Sequence, residues 1–425
     1  MLAAMPPTRA TSTQQGESLI RDRGDACPGA LRLHRADDGG LARLRLPGGL
    51  LTSRQVDVLA TAAERLADGH LSITSRGNVE LRGLGETCGG ALSALLSDAG
   101  LLPSERHERV RNVVASPLAG IDGLGHADVQ LWARELDGLL CAEEWTAELS
   151  GRFLFAADDG RGDVAGLGAD VTLIAESAGT ALLRLGAATF RVPGAEAPRA
   201  ALAAAGAFRT AALAAGNGAW RVAELPAGRA VEVARALADA GVPATAAAAP
   251  APVAGTTVQG PPPPGVLGGA VLVTAPLGRV SAAQLRALLP APGDEVRVTP
   301  WRGFVVPGFT DEAARERLRV LADAGFVTEP ASPWLGVGAC TGRPGCAKSL
   351  ADVRADAVPG RAGLPVHWSG CERRCGHPHG DWVDVLATAD GRYEVTLRTG
   401  GSVVPVAGAT VTEAVTTART PPHPT

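Results

Sequence analysis

Apolar and polar positions change period twice between residues 42 and 84. Ala42–Leu46 alternates at the two-residue period of a strand. From Val56 onward, apolar residues recur at helical spacing through VDVLATAAERL. The stretch LSITSRGNVELRGL then returns to two strands joined by a short polar turn. The same order, strand, helix, strand, strand, recurs in GAVLVTAPLGRVSAAQLRALLPAPGDEVRVTPWRGFVVPGF. Ile73-Thr74-Ser75-Arg76 aligns without gaps to Val298-Thr299-Pro300-Trp301, and Gly83-Leu84 to Gly308-Phe309. Thr52 and Ser281 precede the two helices as N-cap residues. Each copy continues into a longer mixed region ending in strand-like alternation, VTLIAES with TALLRL and VDVLATA with YEVTL. The chain thus reads as a duplicated α+β unit, with a functional site expected between the halves.

Breaks in the pattern set the boundaries. Residues 1–25 are polar and irregular, a disordered tail. Residues 243–265 are rich in Ala and Pro and close on four prolines and a glycine, which suits an extended linker. Between these lie a first half-domain (26–100), a first mixed domain (101–195) and a helical/strand connection (196–242). A second half-domain (266–330) and a cysteine-bearing domain (331–425) follow the linker. Hydrophobic residues make up 46% and charged residues 20% of the 425, with a net charge of -4, which argues against a nucleic-acid binder. The sequence shows no continuous apolar h-region at its start and no run long enough to span a bilayer. A cytoplasmic protein is expected, with no membrane and no nucleic acid among its partners.

Four of the seven cysteines carry chemistry. Cys340 and Cys346 stand in GACTGRPGCAKS, Cys371 and Cys375 in HWSGCERRCGHP. The first pair is spaced more widely than a zinc knuckle. A disulfide reading requires an oxidising compartment. Four thiolates on two glycine-rich loops suit an iron–sulfur cluster better, with glycines letting backbone N–H groups approach the sulfurs. Cys27, Cys88 and Cys141 have no paired neighbours and read as small buried residues.

A second constellation is basic. Arg76, Arg111 and Arg152 lie on short polar segments after apolar runs, and Arg302, Arg343 and Lys348 have similar settings in the second half. Singly these are ordinary surface charges. Converging, they would make a pocket for a polyanion, since the planar guanidinium binds carboxylates through two hydrogen bonds. The chain has neither a phosphate-binding loop nor a G-x-G-x-x-G fingerprint after a strand. Electrons would therefore come from a separate reductase.

The C-x5-C and C-x3-C pairs, with TSRGN upstream and RNVVASPLAGID between, resemble the sirohaem and 4Fe–4S sulfite and nitrite reductase superfamily. The resemblance covers nearly the whole chain, duplication included. It implies an α+β fold of pseudo-twofold, duplicated nitrite/sulfite reductase type with ferredoxin-like half-domains. It also implies that Cys340, Cys346, Cys371 and Cys375 hold a 4Fe–4S cluster, with Cys375 facing the tetrapyrrole. Arg76 and Arg111 match the family's macrocycle-binding arginines.

One departure decides the branch. The reductases carry a Lys-x-Lys pair, and the matching segment here is Arg152-Phe153-Leu154. Loss of the second cation removes electrostatic stabilisation from a pocket that reduces a small anion. The segments ACPGALRLHRADDGG, SITSRGNVELRGL and VTPWRG are more similar to the precorrin-3B synthase family, a branch of the same superfamily. That similarity implies an O2-dependent monooxygenase of aerobic cobalamin biosynthesis. It would hydroxylate precorrin-3A at C20 with γ-lactone formation, using electrons that come ultimately from NADH. Arg76, Arg111 and Arg152 would be catalytic, and with Arg302 would bind the substrate carboxylates. A non-haem iron would need ligands. His377 and His379, with Asp381 and His367 nearby, are the nearest candidates, against the plainer reading of His377 as a hydrogen-bonding group and His379 as a turn residue. The alternatives are a sirohaem-dependent sulfite or nitrite reductase, and a non-catalytic electron carrier or tetrapyrrole-binding protein.

Overall fold

The two strand–helix–strand–strand units build two five-stranded antiparallel sheets in the computed structural model, which describes residues 25, 27–248, 260–378 and 380–420. The first sheet runs in the order His34–Ala36, Gly39–Leu44, Val79–Leu84, His70–Ile73, Arg279–Ser281. The second runs Gly265–Leu267, Ala270–Thr274, Gly303–Val306, Val296–Val298, Leu50–Leu51. Each sheet therefore ends on a strand lent by the other copy. Units of roughly 60 residues are marginal alone. The exchange lets Leu44, Val56, Leu59 and Leu81 of one copy share a single buried core with Val271, Leu285, Val298 and Phe304 of the other.

Local sequence repeats down to single hydrogen bonds. Thr52 Oγ1 accepts from Gln55 N at 3.2 Å while Gln55 returns its side-chain oxygen to Thr52 N at 3.0 Å. Ser281 and Gln284 make the same box at 3.1 and 2.9 Å. Each glutamine then donates its amide to the end of the next helix, Gln55 to Ala99 O at 3.0 Å and Gln284 to Ala324 O at 3.1 Å. The helices differ in length. Ser53–Leu66 runs 14 residues, whereas Ala282–Ala287 stops ahead of Pro290 and Pro292, which cannot continue it.

Two further sheets repeat a second pattern. Val113–Ala115, Phe155–Asp158 and Val171–Ala175 run parallel, followed by antiparallel Thr180–Leu185, Ala188–Pro193 and Thr245–Ala246. Val337–Ala339, Val366–Ser369 and Trp382–Ala389 run parallel, followed by antiparallel Arg392–Thr399 and Ser402–Pro405. The segment 196–242, expected as a connection, is integral to the first of these domains. Helix Ala197–Ala215 lays Ala201, Ala204 and Phe208 onto the sheet, with the Phe208 ring 4.9 Å from Phe153, and ends on Gly216 at φ 63°. Of the expected linker, residues 249–259 lie outside the described residues, and its flanks are edge strands rather than free chain. Of the expected tail only Asp25 is described. Its carboxylate accepts from Gly151 N at 2.6 Å and Ser150 Oγ at 2.9 Å. No helix among the described residues is long and apolar enough to cross a membrane.

Candidate active site

Both cysteine pairs leave the same edge of one sheet. Cys340 directly follows Val337–Ala339, and Cys371 follows Val366–Ser369 by one glycine. These strands are parallel neighbours, with Ala339 opposite Trp368. Cys340 N donates to Trp368 O at 2.9 Å, and Gly370 N donates to Cys340 Sγ at 3.2 Å. A side chain at Gly370 is excluded, since its Cβ would lie 1.8 Å from Ser349 Oγ. Burial pushes the Cys375 thiol up, and Cys340, Cys371 and Cys346 push it further against the pull of Arg373, so the four thiols converge. They do not converge on a point. Among the described residues, no three of these sulfurs all lie within 4.8 Å of one another. Thiolates on one zinc, each at about 2.3 Å, cannot stand more than ~4.6 Å apart. The quartet thus fits a multi-iron cluster better than a single zinc. The loop is clasped by the first half-domain, through Ala347 N to the Asp37 carboxylate at 2.6 Å and Arg82 to Gly345 O at 2.9 Å.

A cleft of about 580 Å³ opens in the first half of the chain, lined by Arg43, Arg45, Arg76, Arg152, Arg221 and Trp220. It lies between the first half-domain and the first mixed domain, not between the two halves of the chain. Arg43, in strand Gly39–Leu44, and Arg45, just past its end, are two residues apart and both line the cleft. Arg152 lies over the Trp220 ring, 5.1 Å from its centroid. Arg43 and Arg221 have carboxylate partners in Glu80 and Asp170. Among the described residues, none pairs with Arg76 or Arg152. Burial pushes Arg76 down to about 10, with the neighbouring cations Arg221 and Arg43 adding to it, and burial and Arg43 do the same to Arg45. This concentration of mutually repelling cations is matched to a ligand with several negative charges.

The two centres are joined by a pair of turns. Thr74 N donates to Asn78 O at 2.8 Å, as Thr299 N donates to Gly303 O at 2.9 Å. Gly77 at φ 67° and Arg302 at φ 64° occupy the same place in the two turns, which touch: a Cβ at Gly77 would lie 3.2 Å from Val298 O. Arg76 from one turn enters the arginine cleft. Arg302 from the other goes to the cysteines, donating to Gly376 O at 3.1 Å. Trp301, the counterpart of Arg76, packs on a sealed apolar cluster of Val114, Leu154, Ala156 and Val164. Leu154 is 2% exposed there.

Other expected residues are placed differently. Arg111 does not reach the cleft. It is 5% exposed and forked onto Asp137 through Nε and Nη2 at 2.6 and 2.7 Å, which neutralises its charge inside the protein. His377 stacks on Trp382 at 5.1 Å and Asp381 accepts from Thr399 and Gly400. His379 lies outside the described residues. His367 is buried, its Nε2 bonded to Cys375 O at 3.0 Å, and burial with Arg302 pushes it down to about 3. Among the described residues, His367, His377 and Asp381 form no common ligand set. Sequence reasoning missed Arg43, Arg45, Arg221 and Trp220. The alternation of Ala42–Leu46, with both arginines on one face, was the available signal. It also missed Asn78 and Asn112, which link the two arginine motifs at 2.8 Å, with Asn112 continuing to Phe153 O at 3.1 Å.

In the first mixed domain the strand ends that correspond to the cysteine loops carry Asp158, Asp159 and Asp163, whose oxygens lie within 4.8 Å of one another. This is a built turn. Asp158 accepts from Gly160, Gly162, Val164 and Ala165 N–H groups, Asp159 pairs with Arg161, and Asp163 accepts from Ser116 Oγ at 2.6 Å. Burial raises Asp163 to about 7, with Asp158 and Asp159 reinforcing it against the Ser116 bond. The folded protein therefore holds this proton more tightly than the unfolded chain, whose value is near 3.8. The associated stability is complete below about pH 4 and is lost as pH rises through about 7. Asp163→Asn is expected to melt above the wild type at pH 8 in a thermal scan, with the gap closing toward pH 4.

The comparisons agree with this architecture. The nitrite/sulfite reductase ferredoxin-like half domain matches residues 34–94. The NirA protein of Mycobacterium tuberculosis shares the fold, with a TM-score of 0.63 over 86% of this chain and 75% of that one at 20% identity. In sequence over residues 34–94 and in fold over most of its length, the chain is similar to the nitrite/sulfite reductase superfamily. Within it, a precorrin-3B synthase from Sinorhizobium sp is 28% identical over 390 residues, covering 87% of this chain and 82% of that protein. The ferredoxin–nitrite reductases of Leptolyngbya laminosa and Synechococcus elongatus are 35% and 33% identical over only 102 and 127 residues, covering 20% and 25% of those proteins.

Proposed function

We propose that this chain is a precorrin-3B synthase, an oxidoreductase that hydroxylates precorrin-3A at C20 with O2 and closes a γ-lactone from the ring A acetate. The observation that carries the reading is the five-arginine cleft in which Arg76 and Arg152 have no carboxylate partner among the described residues. Precorrin-3A is a macrocycle edged with acetate and propionate groups. Arg76 and Arg152 would receive them through forked hydrogen bonds, while the Trp220 ring offers a flat apolar wall. The extensive match to a precorrin-3B synthase supports the same assignment. One oxygen atom of O2 enters at C20 and the other leaves as water, which requires two electrons and two protons from a separate reductase drawing on NADH. A 4Fe–4S cluster held by Cys340, Cys346, Cys371 and Cys375 would supply one-electron transfer. No step is assigned to a second iron. Loading a cluster needs reduced thiols, so we assign the protein to the cytoplasm.

Leu154 favours this over the anion-reducing alternative, because its apolar surroundings do not suit a charged lysine. The test is the absorption spectrum of anaerobically purified protein, followed by O2 uptake with precorrin-3A and a reductant. A broad cluster shoulder and substrate-dependent O2 uptake are expected. A strong sirohaem band would instead make the protein a sulfite or nitrite reductase. Binding of precorrin-3A without O2 uptake would make it a carrier.

A further inference from the structure

Among the described residues, two arginines beside the cysteine quartet have no carboxylate partner. Arg354 donates from Nε to Cys340 O at 3.0 Å, and its Nη1 is buried without any partner. Arg302 runs through a slot formed by three glycines. A Cβ at Gly278 would lie 2.5 Å from its Cδ and one at Gly338 2.4 Å from its Nη1, and its Nη2 reaches Gly376 O, next to Cys375, at 3.1 Å. Among the described residues no carboxylate pairs with either. The fully buried Arg297 and Arg419 are satisfied. Arg297 pairs with Glu295, and Arg419, which also lacks a carboxylate, donates to backbone carbonyls of Leu364, Pro333, Pro359 and Leu335.

The cost of this arrangement is visible in the backbone. Arg302 sits at φ 64°, a region that disfavours any side chain, where the matching turn of the first half uses Gly77 at φ 67°. Burial pushes Arg354 down to about 10, and Arg279, Arg302 and Arg82 add to it while Cys340 opposes. His367, between this pair and Cys375, offers no negative charge and keeps an unpartnered, buried Nδ1. A strained backbone and two half-buried cations without a carboxylate partner persist when they serve something the protein holds.

We propose that Arg302 and Arg354 are the counter-charges of the iron–sulfur cluster and hold its reduction potential up. The proposal rests on the cluster assignment above. Four thiolates around a 4Fe–4S core carry net negative charge, and the one-electron reduction adds another. A fixed cation at the first cysteine and one at the last therefore favour the reduced form, since net charge and its surroundings set cluster potentials. Both are tuning residues and touch no substrate.

The test is an anaerobic redox titration of the cluster-loaded protein, followed by electron paramagnetic resonance, with dithionite as reductant. Arg302→Gln and Arg354→Gln are each expected to shift the reduction equilibrium at least tenfold toward the oxidised form, about 59 mV for a one-electron couple. The Lys variants at both positions are expected to restore most of that shift. Unchanged potentials in both Gln variants would overturn the proposal, as would Lys variants shifted as far as the Gln ones. Should a Gln variant lose its iron, the Lys variant decides: a loaded cluster near wild-type potential supports the proposal, and a lost or equally shifted cluster overturns it. Wild-type protein free of iron and sulfide would instead sink the cluster assignment itself.

Discussion

Cys375→Ser protein is expected to purify folded but without iron or acid-labile sulfide, and to consume no O2 with precorrin-3A and a reductant. Cys375 is the exposed member of the quartet, and its thiol is raised by burial and by the other three, so its environment is defined by them. A serine oxygen is a poor substitute for thiolate toward iron. The fold should survive, because the sheet carrying the loops is built from Val337, Val366, Trp368, Val383 and Val385, none of which depends on the thiol. Circular dichroism reports the fold, and colorimetric iron and sulfide assays report the cluster. Cys88→Ser is the control. Cys88 donates to Gly85 O at the start of a helix in the first half-domain, and its loss should leave the iron content unchanged. Equal iron in the two variants would remove the quartet from the metal centre.

The cysteine pairs stood out in the sequence because glycine loops and short spacing are chain-local features. The duplication was legible for a similar reason, since capping residues and strand periods repeat in register. What the sequence concealed is the exchange of Leu50–Leu51 and Arg279–Ser281 between sheets. A strand of two or three residues has no periodicity to read, and its partner lies more than 200 residues away. The same limit hid the division of labour between the turns. Gap-free alignment set Arg76 against Trp301 and Gly77 against Arg302, but only packing shows that one turn faces the arginine cleft and the other the cysteines.

Arg111 shows why charge in a motif does not place a residue. It shares its segment with Asn112, which does hold the site together, and a chain read locally cannot tell a partnered arginine from a waiting one. The distinguishing group is Asp137, in helix Val129–Ala142, 26 positions on. Trp220 and Arg221 were hidden differently. They lie on an irregular segment after a long helix, where composition gives no hint that the loop folds back over the cleft.

The contrast between Arg76 and Arg111 yields a prediction with opposite signs. Arg111→Ala leaves Asp137 charged and largely buried, 18% exposed, beside a void. Breaking a buried pair in this way costs about 3–5 kcal/mol. The thermal midpoint should fall clearly, while folded molecules bind precorrin-3A as before. Arg76→Ala removes a cation that burial, Arg221 and Arg43 already disfavour. Its unliganded form should melt no lower than the wild type, since a repulsion is relieved and no carboxylate is orphaned. Affinity should suffer instead, because a forked contact to a charged group is worth about 1.5–3 kcal/mol, roughly ten- to a hundredfold in Kd. Quenching of Trp220 fluorescence against precorrin-3A concentration measures affinity, and scanning calorimetry measures stability. In the wild type the ligand should raise the melting temperature, and in Arg76→Ala that increment should shrink. If Arg111→Ala weakened binding in the folded fraction and Arg76→Ala did not, the cleft would not be where the macrocycle binds. The two variants thus separate a charge that holds the protein together from one held ready for a ligand.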